Sequence, residues 1–127
     1  MQIFELINQG AEDLRRNQIV SHKLDSEIIL SSLLAKQREN LLTHLEQEVS
    51  EETVKNFKKL ISRRSLKEPI AYILKSKEFW SKDFFVNSNT LIPRPETELL
   101  SEKVIEIFKN KKIFILDIGT GTGCILL

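Results

Sequence analysis

Apolar residues recur at helical spacing through the first half of the chain and collapse into short runs in the second. Ile3, Leu6, Ile7 and Leu14 mark one face of a first helix, in which Gly10 costs about 1 kcal/mol relative to alanine. Ser21 is placed to cap a second helix whose stripe runs through Leu24, Ile28, Leu30 or Ser31, and Leu34. A short third helix is expected over 39–45. Ser50, with Glu51 and Glu52 suited to the positive end of a helix dipole, opens a fourth that buries Val54, Phe57, Leu60 and Ile61. Pro69 ends this series, and Ile70, Tyr72, Ile73 and Leu74 form a short apolar turn or helix packed back on it. Residues 1–74 therefore read as a helical bundle with short loops.

Periodicity changes after Leu74. Residues 78–86 read as two short aromatic strands around a Ser81-Lys82-Asp83 turn, so that 75–90 forms a hairpin linker. Core packing is the preferred role for Phe79, Trp80, Phe84 and Phe85, ahead of ligand stacking. Pro93 and Pro95 forbid helix or central strand locally, and Pro95 fits the first turn of a helix carrying Leu99, Leu100, Val104, Ile107 and Phe108 on one side. The apolar run at 113–116 reads as a strand buried on both faces, as inside a parallel sheet. The fold class is α+β: a helical bundle, a hairpin, and then, over 91–127, the first helix and strand of a truncated Rossmann-like domain.

Composition narrows the setting. The 127 residues are 41% hydrophobic and 29% charged, as in a soluble globular protein. The net charge of +1, evenly balanced on either side of Ser76, calls for neither a polyanion nor a membrane partner. Cys124 is the single cysteine, so no intrachain disulfide can form and a reducing compartment, the cytoplasm, is expected. The apolar runs are too short to span a membrane, and the N-terminus lacks a signal-peptide pattern. Lys55, Lys59 and Arg63, flanked by Lys58 and Arg64, line one face of the fourth helix. They read as a solvated face ahead of a surface for RNA, a ribosome or an acidic protein. His22 and His44 are isolated and are not expected to bind metal. No Ser/His/Asp or Cys/His arrangement presents itself.

The chemistry lies near the end of the chain. The acid Asp117 closes the apolar run, and glycines follow at 119, 121 and 123, with Thr120 and Thr122 between them. A dinucleotide site would need its third glycine at 124, where Cys124 stands. The Gly-x-Gly-x-Gly spacing after an acid suits S-adenosylmethionine better. That cofactor offers an ammonium and a carboxylate instead of a pyrophosphate. Asp117 can face the cationic side and exposed backbone N–H groups of the turn the anionic side. A glycine-rich turn without a ligand is the plainer alternative. Upstream, Arg94 is held between two prolines, and Thr97 and Glu98 share its helical turn, where a capping role competes with ligand binding.

Read together, 91–98 (Leu-Ile-Pro-Arg-Pro-Glu-Thr-Glu) and 117–125 (Asp-Ile-Gly-Thr-Gly-Thr-Gly-Cys-Ile) resemble the protein-(glutamine-N5) methyltransferases of the HemK/PrmC family, which modify peptide-chain release factors. The stretch 68–74 and the pair Glu78-Phe79 are similar to that family's linker. The resemblance implies a helical substrate-recognition domain, a hairpin and a class I methyltransferase domain. It implies that Gly119, Thr120, Gly121, Thr122 and Gly123, with Asp117, meet the methionyl end of S-adenosylmethionine. Arg94, Pro95, Thr97 and Glu98 would line the same pocket. The family's Asn-Pro-Pro-Tyr motif, which orients the substrate glutamine, does not occur among these residues, so no catalytic residue is assigned. Lys75 and Ser81 stand where the family commonly has glycine, which bears on the hairpin's turn geometry.

The resulting expectation is the N-terminal portion of an S-adenosylmethionine-dependent methyltransferase acting on a release-factor glutamine. A nucleic-acid methyltransferase and a non-catalytic module binding a release factor or ribosome are the alternatives. The chain by itself is expected to be inactive, to bind the cofactor weakly or not at all, and to pair its 113–116 segment with another copy, tuck it away or leave it disordered.

Overall fold

Five helices assemble the first part of the chain because each has one side that water disfavours. In the computed structural model, which describes residues 1–127, these are α1 (Ile3–Arg16), α2 (His22–Leu33), α3 (Arg38–Leu42), α4 (Glu51–Ser65) and α5 (Ile70–Leu74). They belong to one compact unit, Met1–Leu74; a second comprises Lys75–Leu127. Ile3, Leu6, Ile7 and Leu14 of α1, Ile29 and Leu30 of α2, Leu41 of α3, and Phe57 and Ile61 of α4 form the core of the first unit. Val54 and Leu60 are only partly buried against it.

Local chemistry sets the helix ends. Ser50 Oγ accepts from the Thr53 N–H at 3.2 Å, satisfying one of the free donors at the start of α4. The first N–H groups of α1 are answered from a distance: Ile3 and Phe4 donate to the carbonyls of Gln47 and Leu45, each at 3.0 Å. Ser21 occupies the position before α2 but does not cap it; its hydroxyl donates to Asp25 Oδ2 at 2.8 Å. The short third helix is 38–42, ending earlier than its apolar residues suggest.

The expected stripe on α2 is right in part: Leu30 and Ser31 are buried and Leu34 packs against the core. Leu24 is exposed and Ile28 half-buried, whereas Asp25, Ser26, Glu27, Ile29, Leu30 and Ser31 are buried. The two acids tolerate burial because each has a cation. Arg64 Nε donates to Asp25 Oδ2 at 2.7 Å, linking α2 to α4, and Arg38 Nε donates to Glu27 Oε2 at 2.6 Å. Arg64 also donates to the Glu68 carbonyl, and Arg63 pairs with the Glu68 side chain. The Arg63 hydrogen bond holds the Glu68 carboxyl below the usual carboxylate range. The basic face expected on α4 is thus divided: Lys55, Lys58 and Lys59 are exposed, but Arg63 and Arg64 are engaged within the unit.

Gly10 has a second role besides weakening α1. A Cβ there would lie 2.6 Å from Phe57 Cζ and 2.8 Å from Ser26 Oγ, so the glycine lets α1 approach both neighbours. Ser26 in turn donates to the Ile7 carbonyl at 2.7 Å.

In the second unit, β1 (Ser76–Phe79) and β2 (Lys82–Phe85) pair antiparallel, with Phe79 opposite Lys82. The turn is therefore Trp80-Ser81, one residue earlier than Ser81-Lys82-Asp83. Both residues have positive φ, 48° and 57°, the geometry that matches strand twist and normally selects Asn-Gly. Lys75 also lies at positive φ, 58°. Aromatic packing is half of what was expected: Phe79 is buried and meets Phe84 edge-on at 6.2 Å, while Trp80 and Phe85 are exposed. Helix α6 (Pro95–Phe108) begins with Pro95 in its first turn, but only Ser101 is buried, and Leu99, Leu100, Ile107 and Phe108 face solvent. Residues 113–116 form no strand. Their backbone finds no partner in the chain, and the elements present amount to mixed helix with one two-stranded sheet. These elements do not by themselves show a Rossmann-like start.

Three stability outcomes follow. Gly10→Ala lowers stability by about 1–3 kcal/mol despite the better helix propensity, read by urea denaturation, because the close approach must open. Asp25→Ala costs about 3 kcal/mol in the same assay, since Arg64 loses its carboxylate. Ser81→Gly raises the stability of the hairpin unit by about 1 kcal/mol, read through tryptophan emission on heating, by relieving the left-handed residue.

Candidate cofactor site

The glycine turn has a geometry that other residues adopt with difficulty. Gly119, Gly121 and Gly123 lie at φ of 75°, 56° and 77°. Around the first two, a Cβ would meet nothing within 4 Å, so these positions leave open space beside the backbone. Gly123 N–H donates to the Thr120 carbonyl at 2.8 Å, and the Gly123 carbonyl accepts from Leu126 and Leu127 at 3.2 Å, which folds the turn back on itself.

Two polar atoms at this turn are shielded from water and have no hydrogen-bond partner: Asp117 Oδ2 and Thr122 Oγ1. A buried acceptor without a donor is costly, by about 1–3 kcal/mol. Together with the space beside Gly119 and Gly121, these atoms suit a polar ligand with a cationic group, as S-adenosylmethionine has. No group of three or more His, Cys, Asp or Glu residues converges anywhere in the chain.

The other proposed pocket residues sit at the start of α6. Arg94 is the N-cap residue, with extended backbone at φ −96° and ψ 143°, and its side chain is exposed. Pro95 supplies the first helical residue, and the Thr97 N–H donates to the Arg94 carbonyl at 3.1 Å. Glu98 is half-buried, and its Oε1 accepts from the Trp80 N–H at 2.7 Å. The carboxylate therefore anchors the hairpin turn to α6. No hydrogen bond or ion pair joins residues 94–98 to the turn at 117–123.

Two concavities lie away from these residues. In the first unit, Phe4, Ile7, Leu24, Leu42 and the Glu27–Arg38 pair border a cleft of about 470 Å³. In the second, Phe84, Leu100, Val104, Ile105, Ile115 and Cys124 help line an apolar cavity of about 530 Å³. Neither was foreseen, because each is assembled from residues far apart in sequence. No helix is long and apolar enough to cross a membrane.

Comparison with known proteins gives this geometry a family. Residues 5–74 match the model of the PrmC N-terminal domain. A release factor glutamine methyltransferase of Leptospira interrogans (serogroup Icterohaemorrhagiae serovar Lai) is 42% identical over 125 residues, 97% of this chain and 44% of the relative. Proteins of the same name from Buchnera aphidicola (subsp. Acyrthosiphon pisum) and Aliivibrio fischeri are each 41% identical over the whole chain and 45% of their own length. The chain spans less than half the length of these curated relatives, and the matched portion is their N-terminal part. Its helical unit coincides with the matched domain, and the chain belongs to the PrmC N-terminal domain family.

Proposed function

We propose that the protein, at the length of its relatives, transfers a methyl group from S-adenosylmethionine to a glutamine side chain of a peptide-chain release factor. The observation that carries this reading is the turn after Asp117: three glycines at positive φ beside a shielded carboxylate oxygen with no donor. The relatives' shared name supports the substrate class. When bound, the cofactor supplies an electrophilic methyl carbon.

Within the proposal, each residue has a role in holding and positioning. Asp117 offers a negative oxygen to the cofactor's ammonium, and backbone N–H groups of Gly119 to Gly123 face its carboxylate. Thr120 and Thr122 add hydroxyls to the same turn. Arg94, Pro95, Thr97 and Glu98 would line the pocket from the start of α6, as the family resemblance implies, and Glu98 also accepts from the Trp80 N–H of the hairpin turn. Helices α1–α5 grip the release factor, which brings its glutamine to the methyl carbon. The rate gain comes from proximity and electrostatic positioning. The cytoplasm, where release factors act, is the proposed location. The engagement of Arg63 and Arg64 in ion pairs weakens the case for a nucleic-acid substrate.

In the protein at its relatives' length, Asp117→Ala weakens S-adenosylmethionine binding by about tenfold or more, measured by titration calorimetry. Transfer of labelled methyl groups to purified release factor falls in parallel. Unchanged affinity in the variant, or no labelling of release factor by the parent protein, sinks the reading. The 127-residue chain binds the cofactor far more weakly, because residues 113–116 lack the neighbouring strands that would fix Asp117.

A further inference from the structure

The hairpin turn is built from two residues ill suited to it. Trp80 and Ser81 lie at φ of 48° and 57°, where asparagine and glycine are the usual occupants. A strained backbone of this kind persists where its surroundings hold it. In a two-residue turn the N–H of the first central residue has no partner in the ladder and is left to water. Here the Trp80 N–H instead donates to Glu98 Oε1 at 2.7 Å, a short bond to a charged acceptor 18 residues away.

The phase of α6 places Glu98 for this bond. Among residues 94–101, Thr97, Glu98 and Ser101 are sheltered, whereas Arg94, Pro95, Glu96, Leu99 and Leu100 are exposed. The sheltered three follow helical i, i+3 and i, i+4 spacing, so they share one side of the helix. Val104 continues that side and borders the same cavity as Phe79, Trp80 and Phe84 of the hairpin. An acid in a first helical turn is ordinarily accounted for by the dipole, and the exposed Glu96 meets that need. Glu98 has the further task of tying the hairpin turn to α6. Arg94 and Thr97 lie within one helical turn of the tie, joined by the 3.1 Å bond from the Thr97 N–H to the Arg94 carbonyl.

We propose that Glu98 is a positioning residue: through the Trp80 N–H it clamps the hairpin turn onto the first turn of α6, and so fixes Arg94 and Thr97 for the cofactor without itself bonding to it. This role rests on the cofactor reading and deepens it, since the family resemblance gives Glu98 only a place in the pocket wall. The chemistry of the bond separates the two roles. A backbone N–H needs an oxygen acceptor, so a glutamine at 98 can receive it much as the carboxylate does. A cofactor ammonium needs the negative charge, which glutamine lacks.

Variants of the protein at its relatives' length test this. Glu98→Ala weakens S-adenosylmethionine binding by about tenfold in titration calorimetry, and the conservative Glu98→Gln rescues most of that loss. The loss appears in KM for the cofactor and not in kcat. Adding Ser81→Gly to Glu98→Ala recovers part of the affinity, because glycine relaxes the turn that the carboxylate no longer holds. A second readout needs no cofactor. Hydrogen exchange at the Trp80 amide is slow in the parent and in Glu98→Gln and about tenfold faster in Glu98→Ala. The parent and Glu98→Gln decide the matter if Glu98→Ala does not fold. Equal loss of affinity in the two variants, or a rapidly exchanging Trp80 amide in the parent, overturns the proposal. A parent with no affinity for S-adenosylmethionine overturns the cofactor reading and this role with it, whereas full affinity in Glu98→Ala overturns this role alone.

Discussion

A buried carboxylate needs a cation beside it, and the helical unit is arranged around meeting that demand twice on α2. Asp25 and its partner Arg64 have side chains only 6% and 17% exposed, on helices separated by the whole of α3 in sequence. Glu27 meets Arg38 in the same way on the other flank. Hydrophobic burial is indifferent to small rotations of a helix, but paired charges are not. These two pairs fix the rotation of α2, so that Ser26 meets Ile7 and Gly10 opens room for Phe57. The apolar core then fills a frame already set in angle.

That dependence explains what was legible in the sequence. The helices could be read from 3.6-residue spacing, and the Ser50 cap from its own residue type. The burial of Asp25 and Glu27 on α2 could not, because their cationic partners are distant in sequence and invisible to a local pattern. The hairpin turn was misplaced by one residue for a related reason. Trp80 and Ser81 hold the left-handed conformations that Asn-Gly normally announces, and neither side chain signals it. At the candidate site, the glycine turn after Asp117 was legible from residue type and spacing, whereas the anchoring of the Trp80 N–H by Glu98 depends on a fold not encoded in 94–98 alone.

Residues 113–116 illustrate a further limit. An apolar run of branched side chains specifies affinity for a strand, but a strand exists only as one member of a pair. The same four residues are compatible with the middle of a sheet when neighbours are supplied and with an unpaired extended segment when they are not. Helix α6 shows the same conditional character, since its apolar side chains are in place and have little to cover them. The helical unit, by contrast, contains the partners for its own core residues and for its buried acids Asp25 and Glu27.

Trp80, the chain's single tryptophan, sits half in water at the tip of the hairpin, whereas the single tyrosine, Tyr72, lies in the helical unit. Nature has in effect given each unit its own optical label. Excitation at the red edge of indole absorption follows only the 75–127 unit, while far-ultraviolet ellipticity is dominated by the five helices of 1–74. Melting curves recorded by the two signals therefore test whether the units unfold as one: coincident curves mean a single transition, and separated curves mean two.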